Sequence, residues 1–179
     1  METNGVEILL VEDNPSDLQL TLHALRKKNL ANHIEVARDG EEALDFLLCR
    51  GRFSQRSPLN PPKLVLLDLK LPKVNGFEVL KQIKENPSTR ALPVIILSSS
   101  NQLRDVDSSY QLGANGYVQK PVNFEEFSDA VRRIAEFWLG ANLTPSPAIF
   151  KEQENEPRTA DGSHNTVSIV ASGPTEQKE

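Results

Sequence analysis

A chain of 179 residues with 38% hydrophobic side chains is long enough for one domain with a core and something beside it. Its single cysteine, Cys49, excludes an intramolecular disulfide, no apolar run approaches the roughly 20 residues that cross a bilayer, and a net charge of -5 argues against a nucleic-acid surface. The first residues carry neither a basic run nor the apolar stretch of a signal peptide, so the expected location is cytoplasmic, away from membranes.

Val6 to Val11 form a first apolar strand that runs directly into Glu12, Asp13, Asn14 and Pro15. Asn14 suits a helix cap and Pro15 the first helical position. Leu18, Leu22 and Leu25 then recur at helical spacing, with Arg26, Lys27 and Lys28 in the last turn, where cations suit the helix dipole. Ile34 to Ala37 read as a short strand, and Asp39 with Glu42 as a capping box opening a second helix over about 41–49. Residues 50–62 hold four prolines or glycines and three arginines, which predict an exposed loop, long for this position.

The next apolar run, Leu64 to Leu67, has the composition of a strand buried on both faces. It ends in Asp68, a carboxylate that a buried strand interior would not tolerate unpaired. Asn75 and Glu78 predict the next capping box, and Phe77, Leu80 and Ile83 the apolar face of a third helix ending near Asn86. Leu92 to Leu97 form a fourth strand that delivers Ser98, Ser99 and Ser100. A less apolar helix follows over about 103–112, and a last strand near 116–119 ends at Lys120 and Pro121. Asn123 and Glu126 cap a final helix with Phe127, Val131, Ile134 and Trp138 on one face. Five β and five α units in alternation imply an α/β, doubly wound parallel sheet of flavodoxin type, (βα)5, with strand order 2-1-3-4-5 and right-handed crossovers.

In such a sheet ligands bind at the carboxyl ends of the strands. Those ends bring together Glu12, Asp13, Asp68, Ser98 and Lys120. Each has a plain local explanation as a turn former, helix-dipole partner or solvated side chain. Turn chemistry acts locally, however, and does not explain five such residues gathered at the ends of four strands. Three acids repel one another unless a cation neutralises them, and oxygen donors suit Mg²⁺. A carboxylate can also be a nucleophile toward phosphorus when a metal and a cation stabilise the transferring group. Asp68, on the central strand, is the natural nucleophile, with Glu12 and Asp13 holding metal and Lys120 and Ser98 contacting phosphoryl oxygens.

The motifs ILLVED, LVLLDLKLP, VNGFEVL, PVIILSSS and GANGYVQKP together resemble the receiver domain of two-component response regulators over about residues 5–140. The resemblance implies that Asp68 is the phosphoacceptor, that Glu12, Asp13, Asp68 and the Lys70 backbone carbonyl bind Mg²⁺, and that Ser98 and Lys120 contact the phosphoryl group. It further implies Ser98 as the switch hydroxyl, Tyr117 as the switch aromatic and a cis peptide before Pro121. Lys70 and Ser100 fall where the family flanks the path of the hydrolytic water, so they are expected to tune the lifetime of the phosphorylated state.

The long segment before Lys63, with Phe53, and the ending Glu136-Phe137-Trp138-Leu139 are similar to single-domain regulators serving phytochrome-type histidine kinases. The implied partners are a sensor histidine kinase of bacteriophytochrome-like type and a downstream protein reader. Residues 141–179 hold three basic and six acidic residues and few large apolar ones, the composition of a disordered acidic tail rather than a DNA-binding module. Within it Ile149-Phe150 and Val167 to Val170 are candidate docking segments, more simply incidental. Phe124 and Phe137 enlarge the apolar surface of the last helix, either as a broad core face or as a homodimer interface. Two other classes compete with the switch: a phosphorylation-independent pseudo-receiver that binds protein, and an aspartate-nucleophile hydrolase, which would need an acid where Lys70 stands.

Overall fold

The computed structural model describes residues 5–26, 31, 33–145 and 149. Strands β1 (Ile8–Val11), β2 (Ile34–Ala37), β3 (Leu64–Leu67), β4 (Val94–Ser98) and β5 (Gly116–Gln119) alternate with helices α1 (Pro15–Arg26), α2 (Gly40–Leu47), α3 (Gly76–Glu85), α4 (Leu103–Gln111) and α5 (Phe124–Ala135). The sheet order is β2-β1-β3-β4-β5, and every pairing is parallel. This is the expected flavodoxin-like arrangement. No described helix is long and apolar enough to cross a membrane.

Alternation along the strands divides the core in two. Leu9, Val11, Val65, Leu67, Val94 and Ile96 point to one face, where Phe46 of α2 and Leu80 and Ile83 of α3 cover them. Ile8, Leu10, Leu64, Leu66, Ile95 and Leu97 point to the other, under Leu18, Leu22 and Leu25 of α1 and Phe127 and Val131 of α5. Because both faces are covered, β1, β3 and β4 are buried at every position, which is why they read as unbroken apolar runs.

The caps set where the helices begin. Asn14 Oδ1 accepts from the Ser16 and Asp17 amides at 2.9 and 3.2 Å, and Asp39 Oδ1 from Glu42 N at 2.8 Å. Asn75 Oδ1 accepts from Glu78 N at 3.0 Å, and Asn123 Oδ1 from Glu125 N and Glu126 N at 2.8 and 3.1 Å. Each satisfies an amide that lacks an intrahelical partner. In α2 the returning Glu42 carboxylate reaches the Arg38 amide at 2.6 Å.

Several expectations need correction. Helix α2 ends at Leu47, and Cys49 has φ of 53°, a left-handed conformation that a helix cannot continue through. The loop over 50–62 is largely exposed, as expected, but it is also pinned: Phe53 meets Phe46 edge-on at 5.2 Å between ring centroids. The Arg56 guanidinium lies 3.5 Å from the Phe46 ring centroid and donates to the Phe46 and Asn60 carbonyls. Sequence spacing has no signal for this stack.

The apolar surface of α5 is also divided. Phe127 and Val131 are buried, Ile134 and Trp138 pack against the core, but Phe124 and Phe137 remain 45% and 53% exposed, so the core face is narrower than a broad stripe. Past α5 the chain adds a π-helical turn, Glu136–Ala141. Of the tail, 146–148 and 150–179 lie outside the described residues, as do Lys27, Lys28, Phe150 and Val167 to Val170; Ile149 is 44% exposed.

Candidate functional site

Register sets the geometry of the strand ends. Val11 of β1 lies beside Leu67 of β3, so the next residues, Glu12 and Asp68, leave the sheet side by side. The Asp68 amide still donates to the Val11 carbonyl at 3.1 Å. One strand along, Lys120 N donates to Ser98 O at 2.8 Å and ties the end of β5 to that of β4. Glu12, Asp68, Ser98 and Lys120 are all buried.

Lys120 is the centre of the charge arrangement. Its ammonium donates to Glu12 Oε2 at 2.6 Å, Asp17 Oδ2 at 2.8 Å and Asp68 Oδ2 at 3.0 Å. Burial alone would lower its pKa, but the Asp17, Asp68 and Glu12 carboxylates outweigh that and raise it, so the ammonium keeps its proton throughout the neutral range. Burial pushes Glu12 up to about 6, with the Asp68 charge adding to the rise and the Lys120 hydrogen bond and charge opposing it.

The other Asp68 oxygen is held by the backbone. Oδ1 accepts from Leu69 N at 2.6 Å and Lys70 N at 3.4 Å. Gly76 keeps this loop close to α3: its amide donates to Leu69 O at 2.9 Å, and a Cβ here would meet the Asp68 carbonyl and, at 2.6 Å, Leu69 Cα. Only glycine leaves room for that approach.

Glu12, Asp13 and Asp68 each offer one oxygen, and the three lie within 4.8 Å of one another. Glu12 and Asp68 are buried while Asp13 is exposed at the rim, so the group has an open side. An all-oxygen set of three carboxylates, two of them buried and sharing the single Lys120 ammonium, fits a hard divalent ion.

On the β4 side, Ser98 Oγ accepts from Ser100 N at 3.3 Å. Ser100 Oγ donates to Asp105 Oδ2 in the first turn of α4 at 2.6 Å, and Tyr117 Oη donates to the Ser100 carbonyl at 2.9 Å. Burial, the largest influence, raises the Tyr117 pKa. Ser98, Ser100 and Tyr117 are therefore joined through the β4–α4 loop. Lys70 is exposed.

Two points depart from the sequence reading. No cis peptide occurs among the described residues, so the bond before Pro121 is trans, the form an X–Pro bond intrinsically favours by roughly 0.5–1 kcal/mol. Asp17 was missed. Its only sequence signal is an acid in the first turn of α1, which the helix dipole explains equally well.

The response regulator receiver domain model matches residues 8–132. The chain therefore belongs to the response regulator receiver domain family, whose members are signalling proteins of two-component systems. It is 43% identical over 141 residues to the protein named "Probable methanogenesis regulatory protein FilR2" of Methanothrix harundinacea, covering 79% of this chain and 88% of that one. Among solved structures it resembles the phosphorylated cyanobacterial phytochrome response regulator RcpA, with a TM-score of 0.74, 39% identity, and coverage of 79% of this chain and 99% of that one. The Mn²⁺-bound response regulator Rcp1 gives a TM-score of 0.73 at 37% identity, again covering 79% and 99%.

Proposed function

We propose that this protein is a single-domain response regulator that accepts a phosphoryl group from a sensor histidine kinase on Asp68 in a Mg²⁺-dependent reaction and signals through protein contacts. The observation that supports it most is the Lys120 ammonium 3.0 Å from the Asp68 carboxylate, beside the Glu12, Asp13 and Asp68 oxygens. RcpA, covered over 99% of its length, supports the single-domain reading.

In the proposed reaction an Asp68 oxygen attacks phosphorus in line. The new O–P bond forms as the P–N bond to the kinase histidine breaks, and the ring nitrogen keeps the electron pair. Glu12, Asp13, Asp68 and the Lys70 carbonyl would hold Mg²⁺, which when bound supplies charge neutralisation on the transferring oxygens. Lys120 exchanges its Asp68 contact for a phosphoryl oxygen, and Ser98 Oγ, now an acceptor, turns to donate to another. The chemistry is confined to phosphorylation and dephosphorylation of the protein's own Asp68. Lys70 and Ser100 flank the approach of the hydrolytic water.

Phosphorylation adds roughly one and a half to two negative charges. Turning Ser98 toward them releases the Ser100 amide, and the Ser100 bonds to Tyr117 and Asp105 carry the change to α4. The result biases a two-state equilibrium of the α4, β5 and α5 face. A bacteriophytochrome-like kinase as donor is supported by the likeness to RcpA, and a protein reader by exposed Leu103, Tyr110 and Val122 on or beside α4 and α5. Half-exposed Phe124 and Phe137 favour a homodimer through the last helix. The proposed setting is cytoplasmic, without nucleic-acid contact.

Intact mass after incubation with a small phosphodonor tests the reading. One phosphate-sized gain that needs both Mg²⁺ and Asp68, absent in Asp68→Asn, is expected. No gain under donor excess would leave the phosphorylation-independent pseudo-receiver.

A further inference from the structure

Lys120 has three N–H donors and three carboxylate acceptors, and the acceptors are not equivalent. Glu12 and Asp68 belong to the oxygen group that fits a divalent ion, whereas Asp17 does not. The Glu12 and Asp68 side chains are 2% and 9% exposed, and that of Asp17 is 33% exposed at the rim. Asp17 is also firmly placed. Its amide is capped by Asn14 Oδ1 at 3.2 Å and its carbonyl accepts from Thr21 Oγ1 at 2.8 Å, so the carboxylate projects from a fixed first turn of α1.

An ammonium and a divalent ion that share Glu12 and Asp68 repel each other across a few ångströms in a poorly solvated site. The lysine needs a counter-charge that the ion does not use. We propose that Asp17 is a positioning residue that draws the Lys120 ammonium toward α1, leaving Glu12 and Asp68 free to serve a divalent cation while the lysine stays within reach of the phosphoryl group. This rests on the receiver chemistry proposed above. Without Asp17 the ammonium is held only by the two carboxylates the ion requires, and the two cations compete.

Mn²⁺ binding, followed by the loss of the free-ion EPR signal, tests this without any turnover. Asp17→Asn keeps size and shape while removing the charge, and is expected to weaken Mn²⁺ binding about tenfold, the size of a modest coupling between charged sites. Asp17→Glu should recover most of the loss. In a Lys120→Met background Asp17→Asn should change the affinity by less than about twofold, because the residue acts through the lysine.

An Asp17→Asn affinity within twofold of wild type overturns the inference, as does an equal loss with and without Lys120, which would assign the effect to net charge. Wild-type protein that binds no Mn²⁺ would instead overturn the receiver chemistry itself. Wild-type binding with an unaffected Asp17→Asn variant overturns only the role of Asp17.

Discussion

Lys120 Nζ lies 3.0 Å from Asp68 Oδ2 with both side chains nearly enclosed, 6% and 9% exposed. The two residues are 52 positions apart. Their pairing keeps the Asp68 carboxylate compatible with a buried strand end.

Replacing Lys120 with Met should therefore destabilise the divalent-free protein. Removing one partner of a buried ion pair costs about 3 kcal/mol, and here Glu12 and Asp68 both lose their counter-charge. Thermal melts in chelator should show a lower Tm for the variant. Mg²⁺ should raise that Tm more than it raises the wild type's, because it restores the missing positive charge.

Gly76→Ala places a methyl group against the Asp68 carbonyl and Leu69 Cα. Both atoms are backbone and cannot rotate away. The expected loss is about 1–3 kcal/mol, as for other overpacking changes, read as a lower urea midpoint. The loop carrying Asp68 must shift as well, so acyl-phosphate formation should fall along with stability.

Lys84 gives a pH signature. Burial lowers its pKa to about 8, although its ammonium donates to the carbonyls of Leu92 at 2.6 Å and Arg90 at 3.3 Å and to Asn115 Oδ1 at 3.0 Å. With the folded value below the ordinary 10.5, the unfolded chain binds more protons between those two pH values. Stability attributable to Lys84 is lowest below pH 8 and rises toward 10.5. The difference in denaturation midpoint between wild type and Lys84→Met should change in that direction between pH 7.5 and 9.5. A flat difference would show that the three acceptors hold the proton against burial.

Exposed Lys70 stands two residues beyond Asp68, and the role proposed for its side chain is to screen the phosphoryl group from water. Lys70→Ala and Lys70→Asn are expected to shorten the acyl-phosphate lifetime several-fold, measured by decay of the phosphorylated mass after donor removal. Unchanged decay in both variants would remove Lys70 from the account.

The strands and the acids at their ends were legible because their physics is local. A strand covered on both faces must be an unbroken apolar run, so a carboxylate at its end stands out against it, as Glu12 does after Val11 and Asp68 after Leu67. The helix starts were legible for a similar reason: Asn14, Asp39, Asn75 and Asn123 lie within three residues of the amides they cap.

Contacts set by sheet order and side-chain direction left no such trace. Asp17 and Lys120 are 103 positions apart and meet because α1 and α5 cover the same face while β1 and β5 end at the same edge. The Arg56 stack on Phe46, the Tyr117 bond to Ser100 and the outward turn of Phe124 likewise depend on which surfaces the fold brings together. Local propensity and spacing place a residue on its own element and at its own end of a strand. The partner it finds there is chosen by the packing of elements remote in the chain, and only the tertiary structure decides that.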